Sequence, residues 1–368
     1  MPSQHRATLA LLVCLCTAGC RRGGQPPAPF SLPPASDAAD FVKTAESLDN
    51  PRYQYLYLGL GGVGVLIGPD GTNSEIVETN APELGIFPAE QWSGTSRVGG
   101  FHLSSQVSAQ GTDDFVKTRG APSSREITGF AQRLEIRRGV ATTIYSERVG
   151  GRDVRCRVTS FVTPDGILVT RFDDNVGKRA RRLYRHITFE GQGTLEEDGS
   201  AGSAMSMPVR IGRSRALLAY ALSKDAAEGY WGSADARMYT RVFLAGAEST
   251  LTAFAVPRAG PDAGTPDEAE QRADAAREAG FGVLQQLTEA WWKRFWAASS
   301  VDVPDEALRR WYKRSLYYLA AMTAGADSPP GPMGPLRVRW GGRIFAHDLT
   351  YMHYALLTSN HIEEAAQI

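Results

Sequence analysis

The hydrophobic pattern of this 368-residue chain changes at Pro257, and that change limits the possible folds more than any other feature. Over residues 51–258, short runs alternate apolar and polar side chains or are rich in β-branched residues, as β-strands are. Turn sequences such as Pro164-Asp165-Gly166 separate the runs. After Pro257 the apolar residues recur every three or four positions, which indicates helices. We therefore predict an α+β multidomain chain in which a large antiparallel β-sandwich precedes a helical part.

A glycine-rich stretch near the start of the β region raises the question of nucleotide binding. Gly59, Gly61 and Gly64 fit the G-x-G-x-x-G spacing of dinucleotide-binding loops. That fingerprint requires a helix directly after the glycines, whereas the turn sequence Gly-Pro-Asp-Gly of residues 68–71 follows here. We interpret the stretch as a β-hairpin and expect neither a nucleotide nor another cofactor. Forty basic residues balance forty acidic residues, so the net charge gives no reason to expect nucleic acid.

The first 20 residues have the features of an export signal rather than of a folded domain. The apolar run of residues 7–19 follows a short polar start and is too short for a comfortable transmembrane span. Small residues directly before Cys20 resemble a bacterial lipoprotein signal, with Thr17 where that motif usually has Leu. We predict that Cys20 is lipidated and that the exported protein is anchored in the bacterial cell envelope, in the periplasm or outer membrane. Residues 21–50 are rich in Pro, Gly and Ser and are predicted to form a tether.

Cysteine usage is consistent with this prediction. Cys14 and Cys16 would leave with the signal and Cys20 would carry lipid, so Cys156 alone would remain and no internal disulfide could form. Cys156 alternates with charged residues in a β-like run and has no His nearby. We interpret it as a strand residue rather than a nucleophile.

The first helix of the helical part carries strong local signals. Thr265, Pro266 and Glu268 fit the N-cap, N1 and N3 positions of a capping box. Gly280 and Gly282 weaken this helix in the middle, where it can divide in two. Its predicted apolar face comprises Leu284, Leu287, Trp291 and Phe295.

Three further helices are predicted after the first. One starts near residues 302–304, and another starts around Asp348 and ends at Ser359-Asn360. Asn360 and Glu363 fit the N-cap and N3 positions of a last helix. The predicted apolar stripes are Leu308, Trp311 or Tyr312, Ser315, Leu316 and Leu319 for the second helix, and Leu349, Met352 and Leu356 for the third.

The order of these pieces resembles the junction in bacterial six-hairpin glycosidases, particularly of glycoside hydrolase families 65 and 95. The aromatic end of the linker helix (Trp291, Trp292, Trp296) and the next two helices, over 304–322 and 348–358, carry the resemblance. It implies a β-supersandwich over 51–258, a helical linker over 259–300, and the start of a truncated catalytic (α/α)6 barrel over 301–368.

In such barrels the loop before the second barrel helix faces the sugar cleft. The resemblance therefore implies that Trp340, His347 and Asp348 bind substrate, since a Trp ring stacks on a pyranose and a carboxylate accepts from sugar hydroxyls. Two structural alternatives stay open: Asp348 as a helix N-cap, and Trp340 packed beneath the loop. His347 and His353 are six positions apart, about 240° around a helix, so they cannot bind a metal as an i, i+4 pair and we expect no metal.

Glycoside hydrolysis needs a carboxylic acid and a second carboxylate on the opposite side of the bond. In the resembled families the acid lies beyond the point that matches Ile368, and in phosphorylases phosphate replaces the attacking water. We therefore assign no catalytic residue; Glu363 and Glu364 favour the start of their helix. The expected protein is the N-terminal portion of a lipid-anchored glycoside hydrolase or phosphorylase, acting on an oligo- or polysaccharide and inactive as this fragment. The alternative is a non-catalytic surface lipoprotein that binds glycan or protein.

Overall fold

The structure is a computed structural model that places two units along the chain, Met1–Ser31 and Leu32–Ile368. Every helix and strand that it describes belongs to the second unit. The described residues are 31–44, 55–72, 85–88, 99–107, 127–149, 152–174, 183–191, 194–195, 204–211, 214–222, 226–232, 237–243, 250–259, 265–325 and 346–366.

The β region forms two antiparallel sheets that pack face to face. The strands are β1 Phe41–Thr44, β2 Leu56–Leu60, β3 Val63–Ile67, β4 Gly85–Pro88, β5 Gly99–Val107, β6 Ile127–Glu135, β7 Val140–Val149, β8 Arg152–Val162, β9 Leu168–Asp174, β10 Leu183–Gly191, β11 Thr194–Leu195, β12 Ala204–Ile211, β13 Ser214–Leu222, β14 Ala226–Gly232, β15 Arg237–Phe243 and β16 Thr250–Ala259. The first sheet has nine strands in the order β1-β6-β7-β8-β9-β16-β13-β12-β11. The second has seven, in the order β14-β15-β10-β5-β4-β3-β2. The prediction of a large antiparallel β-sandwich followed by helices is thus confirmed in this coarse form.

The glycine-rich stretch is the hairpin of β2 and β3, as predicted. Leu60 pairs with Val63, so Gly61 and Gly62 form a two-residue turn, with φ of 58° and 75°. Positive φ at both central positions is the type I′ geometry that matches the twist of the flanking strands. Both strands are buried along their whole length, which accounts for their nearly continuous apolar sequence.

The nine-stranded sheet is also buried on two faces, because layers cover it on either side. Along β16, Ala253 and Ala255 face the core between the sheets, whereas Phe254 and Val256 face a second core beneath the helical part. This alternation follows from the period of two in a strand. The sheet therefore lies between the other sheet and the helical residues of the second core, which run from Ala269 to Leu287.

The helical part consists of α1 Pro266–Ala298, α2 Glu306–Thr323, α3 Ala346–Thr358 and the single turn α4 Ile362–Ala365. The predicted capping box of α1 is confirmed: Thr265 accepts from the Glu268 amide, and the Glu268 carboxylate accepts from the Thr265 amide at 2.9 Å. Asp305 caps α2 by accepting from the amides of Ala307 and Leu308. Among the described helices, none is long and apolar enough to cross a bilayer.

The division of α1 at Gly280 is confirmed, and its apolar face is slightly rotated from the prediction. Gly280 has φ 80° and ψ 161°, which interrupts the helical backbone. Leu284 and Phe295 are buried as predicted, but Trp292 is buried more deeply than Trp291, at 1% exposure. The aromatic end of α1 meets α2 through Trp292.

The predicted apolar stripe of α2 is wrong at its start. Leu308 and Trp311 are 55% and 72% exposed, whereas Tyr312, the alternative to Trp311, packs against the core and Leu316 is buried as predicted. The helix also buries Tyr317 and Ala320, next to β2. The reason lies in the partner strand: a side chain on Gly59 would collide with the backbone of α2, so small residues of α2 lie over β2. Sequence periodicity within α2 cannot identify that contact.

The predicted tether boundary at residue 50 also needs correction. Residues 41–44 form β1, which pairs with β6 in the nine-stranded sheet, and Ala39 is 1% exposed. Phe41 and Val42 belong to a short strand whose edge pairing outweighs the Pro-rich composition of the residues before it. This part of the predicted tether therefore belongs to the sandwich.

Candidate functional site

The predicted substrate-binding residues lie around the start of α3. Trp340 and the lipidation residue Cys20 lie outside the described residues. His347 and Asp348 are the second and third residues of α3, and the structure describes their backbone only. Because the helix begins at Ala346, Asp348 lies within its first turn rather than at the N-cap, so N-capping does not account for a carboxylate there. An acidic residue in this turn is favoured by the helix dipole.

The two sides of α3 differ in exposure. Leu356 is completely buried, whereas Tyr351 and Tyr354 are 64% and 59% exposed. His347 precedes Tyr351 by four positions and Tyr354 by seven, which places these three backbone positions on one face of the helix. The exposed Tyr351 and Tyr354 therefore lie on the same face of α3 as the backbone position of the candidate His347. Sequence analysis did not identify the two tyrosines as candidates, although their spacing from His347 was visible.

The C-terminal end of α3 is fixed against α1. Asn360 has φ 61°, and its amide donates to Leu357 while the His361 amide donates to Leu356. These two bonds form a Schellman motif, in which a left-handed residue closes the helix. The Asn360 side chain donates to the carbonyl of Ala298 at 2.7 Å. The prediction that Asn360 caps α4 is thus wrong, since Asn360 ends α3 and His361 precedes α4.

His361 was not predicted from the sequence, and it makes several contacts between the end of α3 and α1. Its ring stacks on Phe295 with centroids 3.9 Å apart, and its Nε2 lies 3.3 Å from the hydroxyl of Ser299. Nδ1 is buried, has no hydrogen-bond partner among the described residues, and lies 3.8 Å from a carboxylate oxygen of Glu364. Burial lowers the pKa of the imidazole and raises the pKa of the Glu364 carboxyl. The imidazole is therefore neutral at pH 7.5 and anchors α3 to α1.

An aromatic cluster fixes α2 between α1 and the sandwich. Trp292 stacks on Tyr317 with centroids 4.9 Å apart, and the Tyr317 hydroxyl donates to the carbonyl of Tyr57 in β2 at 3.0 Å. Burial raises the pKa of both tyrosines well above its usual value, so both act as neutral hydrogen-bonding groups. The cluster joins α1, α2 and the β2–β3 hairpin in one core.

Two chemically reactive groups among the described residues, the Cys156 thiol and the Glu364 carboxylate, have structural positions. No group of three or more His, Cys, Asp or Glu side chains in the described part of the chain is arranged to bind a metal. Cys156 is buried in β8, where the prediction of a strand residue is confirmed, and its thiol lies 3.7 Å from Glu147. The Glu364 carboxylate lies 3.8 Å from Nδ1 of His361 and is mostly buried. Both observations assign these groups to the scaffold.

Comparison with solved structures identifies the fold. A structure assigned as a kojibiose phosphorylase from the human microbiome matches 84% of this chain and 45% of its own, with a TM-score of 0.64 and 13% identity. A bacterial glucoamylase in complex with acarbose matches 85% of this chain and 52% of its own, with a TM-score of 0.50 and 10% identity. This chain thus spans about half the length of these neighbours.

Sequence comparison adds no closer relative. No protein-family model matches the chain, and no curated protein matches it. At 10–13% identity the structural likeness concerns the fold alone. The predicted resemblance is therefore confirmed for the fold: the chain has the fold of the parts of these two proteins that it matches.

Proposed function

We propose that this chain is the N-terminal part of a carbohydrate-active enzyme of the six-hairpin kind, which acts on an oligo- or polysaccharide by hydrolysis or phosphorolysis. In this proposal α1 is the linker, and α2 and α3 are the first helices of an (α/α)6 barrel. The observation that carries the proposal is the likeness of 84% of this chain to 45% of the kojibiose phosphorylase structure. The resemblance of the linker and barrel-start sequences supports the same assignment independently.

The exposed sides of α2 and α3 support a continuing barrel. Leu308 and Trp311 on α2, and Tyr351 and Tyr354 on α3, are all more than half exposed. Helices that are apolar on both sides are usually covered on both sides, and large apolar patches on soluble proteins mark contact surfaces. Further barrel helices would cover the side of α2 that faces away from β2.

Within the proposed enzyme, the start of α3 contributes to sugar binding. Trp340 would stack on a pyranose face, and His347 and Asp348 would hydrogen-bond sugar hydroxyls. The general acid and base would come from later barrel helices. We also propose that Cys20 carries the lipid that anchors the exported enzyme in the bacterial envelope.

Activity of the native protein tests the proposal. The protein is isolated from the membrane fraction of the source organism with an antibody against residues 51–258 and incubated with oligosaccharides, with and without inorganic phosphate. We expect glycosidic cleavage; dependence on phosphate would identify a phosphorylase. Failure to cleave or bind any member of a broad glycan panel would overturn the proposal.

Two matched variants test the residues. Asp348→Asn removes a proposed acceptor for sugar hydroxyls and should lower kcat/KM about 10–100-fold, the usual effect of losing a charged hydrogen-bond partner. Asp302→Asn makes the same chemical change at a 98% exposed side chain and should leave kcat/KM unchanged.

Cys20→Ala should move the protein from the membrane to the soluble fraction, and retention in the membrane fraction would refute the lipid anchor.

A further inference from the structure

Residues 33–44 lie between the nine-stranded sheet and α2 and form hydrogen bonds to both. On the sheet side, β1 pairs with β6, and the Arg133 guanidinium donates to the carbonyl of Pro33. On the helix side, Arg314 donates through Nε to the carbonyl of Ala39 and through Nη2 to that of Asp40, each at 2.9 Å. The segment therefore connects the sheet to a helix that lies about 270 residues further along the chain.

A single carboxylate completes this bridge. Oδ2 of Asp37 lies 2.6 Å from Nε of Arg137, in the turn between β6 and β7, and 2.7 Å from Nζ of Lys313 on α2. Burial would raise the pKa of Asp37, but hydrogen bonds from Lys313, the Ala39 amide and Arg137 outweigh it and the pKa is lowered. The carboxylate is thus charged at neutral pH and is shared between the sheet and the helix.

The segment is held in shape by a second carboxylate and by an aromatic ring. Asp40 is 5% exposed and accepts from the amides of Ser36, Asp37 and Ile136 at 2.8–3.1 Å. The Arg314 guanidinium lies 4.2 Å above the centroid of the Phe41 ring. Asp37 is therefore presented to its two cations by a locally ordered backbone.

Small groups make the closest approach between α2 and the hairpin, beside the aromatic contacts of Tyr317 and Tyr318 with Tyr57. Gly59 of β2 lies against the backbone of Ala321, and the buried side chains of α2 include Ala320 and Ala321. Alanine and glycine bury little apolar area, so this contact contributes less per residue than a leucine-rich one. The polar bridge therefore adds to the aromatic contacts that keep α2 in place.

We propose that residues 33–44 are a clasp that holds α2 on the sandwich, and that Asp37 closes it electrostatically. Neutralising Asp37 removes its charge pairing with Arg137 and Lys313 together and leaves Lys313 partly buried beside Arg314. The clasp then opens at α2, while the sandwich and the first half of α1 stay folded. This inference does not depend on any activity of the protein.

Hydrogen–deuterium exchange of the full chain tests the clasp. In Asp37→Asn, we expect exchange of α2 amides to accelerate about tenfold, because exchange reports the local opening equilibrium. Amides of residues 266–279 in α1 should keep their rate. Asp302→Asn is the matched control: this carboxylate lies 3.6 Å from Arg309 but is 98% exposed, and α2 exchange should not change.

A second variant approaches the same contact from the helix. Lys313→Met should also accelerate exchange of α2 amides. In the double variant with Asp37→Asn, exchange should be no faster than in the faster single variant, because both substitutions remove the same interaction. In 1 M salt, α2 exchange should accelerate in the unmodified chain more than in Asp37→Asn. Unchanged α2 exchange in both single variants would overturn the proposal. Equal acceleration in α2 and in residues 266–279 would also overturn it, because it would show a general loss of stability.

Discussion

The two halves of α1 differ in the size of the side chains that they bury, although they belong to one helix interrupted at Gly280. The first half buries alanines, of which Ala273 is completely buried, in a core that contains residues of β13 and β16. The second half ends in Trp292 and Phe295, which form a large aromatic core with α2. Small side chains allow a helix to lie close to a sheet, and large rings fill the wider space where several elements meet. The first half is therefore a sheet cover, and the aromatic end of the second half is a junction.

Polar contacts follow the same division. The indole N–H of Trp296 donates to the carbonyl of Ile136 at 3.0 Å, and Arg138 pairs with both Glu135 and Glu289. These bonds attach the second half to the turn after β6, the turn that also contacts Asp37. The junction therefore depends on a few large or charged side chains, and its stability should be more sensitive to single substitutions than that of the sheet cover.

Removing the central ring of the junction should have the largest effect. Trp292→Ala leaves a cavity at a side chain that is 1% exposed and should lower the free energy of unfolding by about 3–5 kcal/mol. Urea unfolding of the full chain measures this loss of free energy. Trp311→Ala, at a ring that is 72% exposed, should change the free energy by less than about 0.5 kcal/mol. Similar losses in both variants would contradict the position of the junction.

The break between the halves can be tested with two glycines. Gly280 has φ 80° and ψ 161°, a conformation that alanine rarely adopts, so Gly280→Ala should cost about 1–3 kcal/mol. Gly282 lies within the helical part after the break, and a Cβ there would meet nothing within 4 Å. Gly282→Ala should therefore stabilise the chain, by up to about 1 kcal/mol. Thermal unfolding compares the variants, and a stabilising Gly280→Ala would show that the break is not required.

Enlarging an alanine tests the sheet cover. Ala273→Leu places three extra carbons against the nine-stranded sheet and should cost about 1–3 kcal/mol through overpacking. Ala275→Leu introduces the same side chain at an exposed position of the same helix and should be almost neutral. If urea unfolding gave the same result for both variants, α1 would not lie close to the sheet.

The smallest effect concerns the far end of the junction and depends on pH. Burial lowers the folded-state pKa of His361 below its usual value of 6.5. As the pH falls below about 6.5, His361 therefore binds a proton in the unfolded chain before it does so in the folded chain. The free energy of unfolding decreases over this range, until His361 is also protonated in the folded state. His361→Asn should remove this decrease.

Melting temperatures at pH 7.5 and 5.5 measure the effect for the unmodified chain, His361→Asn and Glu364→Gln. Glu364→Gln removes the carboxylate that lies 3.8 Å from the imidazole and should steepen the decrease, because the protonated ring then lacks a nearby anion. A decrease of equal size in His361→Asn would assign the pH dependence to other groups.

Local sequence signals predicted much of this fold. The hairpin at Gly61 and Gly62, the capping box of Thr265, and the break at Gly280 each follow from the conformational preferences of a few adjacent residues. The alternating β pattern likewise indicated the sandwich, because strand periodicity reports burial on one or two faces. These features need no knowledge of distant contacts.

Features that depend on distant contacts were missed. The stripe through Leu308 and Trp311 is apolar, but Gly59, some 250 residues away, is what directs the small residues of α2 towards β2. Asn360 has the residue type of an N-cap, yet its left-handed backbone closes α3. For the candidate site, sequence placed His347 and Asp348 at the start of α3 but did not identify His361, whose role arises from stacking on Phe295.

The mass of the native polypeptide tests the central claim most directly. Immunoblotting of the membrane fraction with an antibody against residues 51–258 measures it. This chain has a mass of 39.9 kDa and spans about half of its structural neighbours, so a complete barrel enzyme predicts a membrane-associated band at about twice that mass. A band near 40 kDa would contradict the account and leave a binding lipoprotein without a barrel.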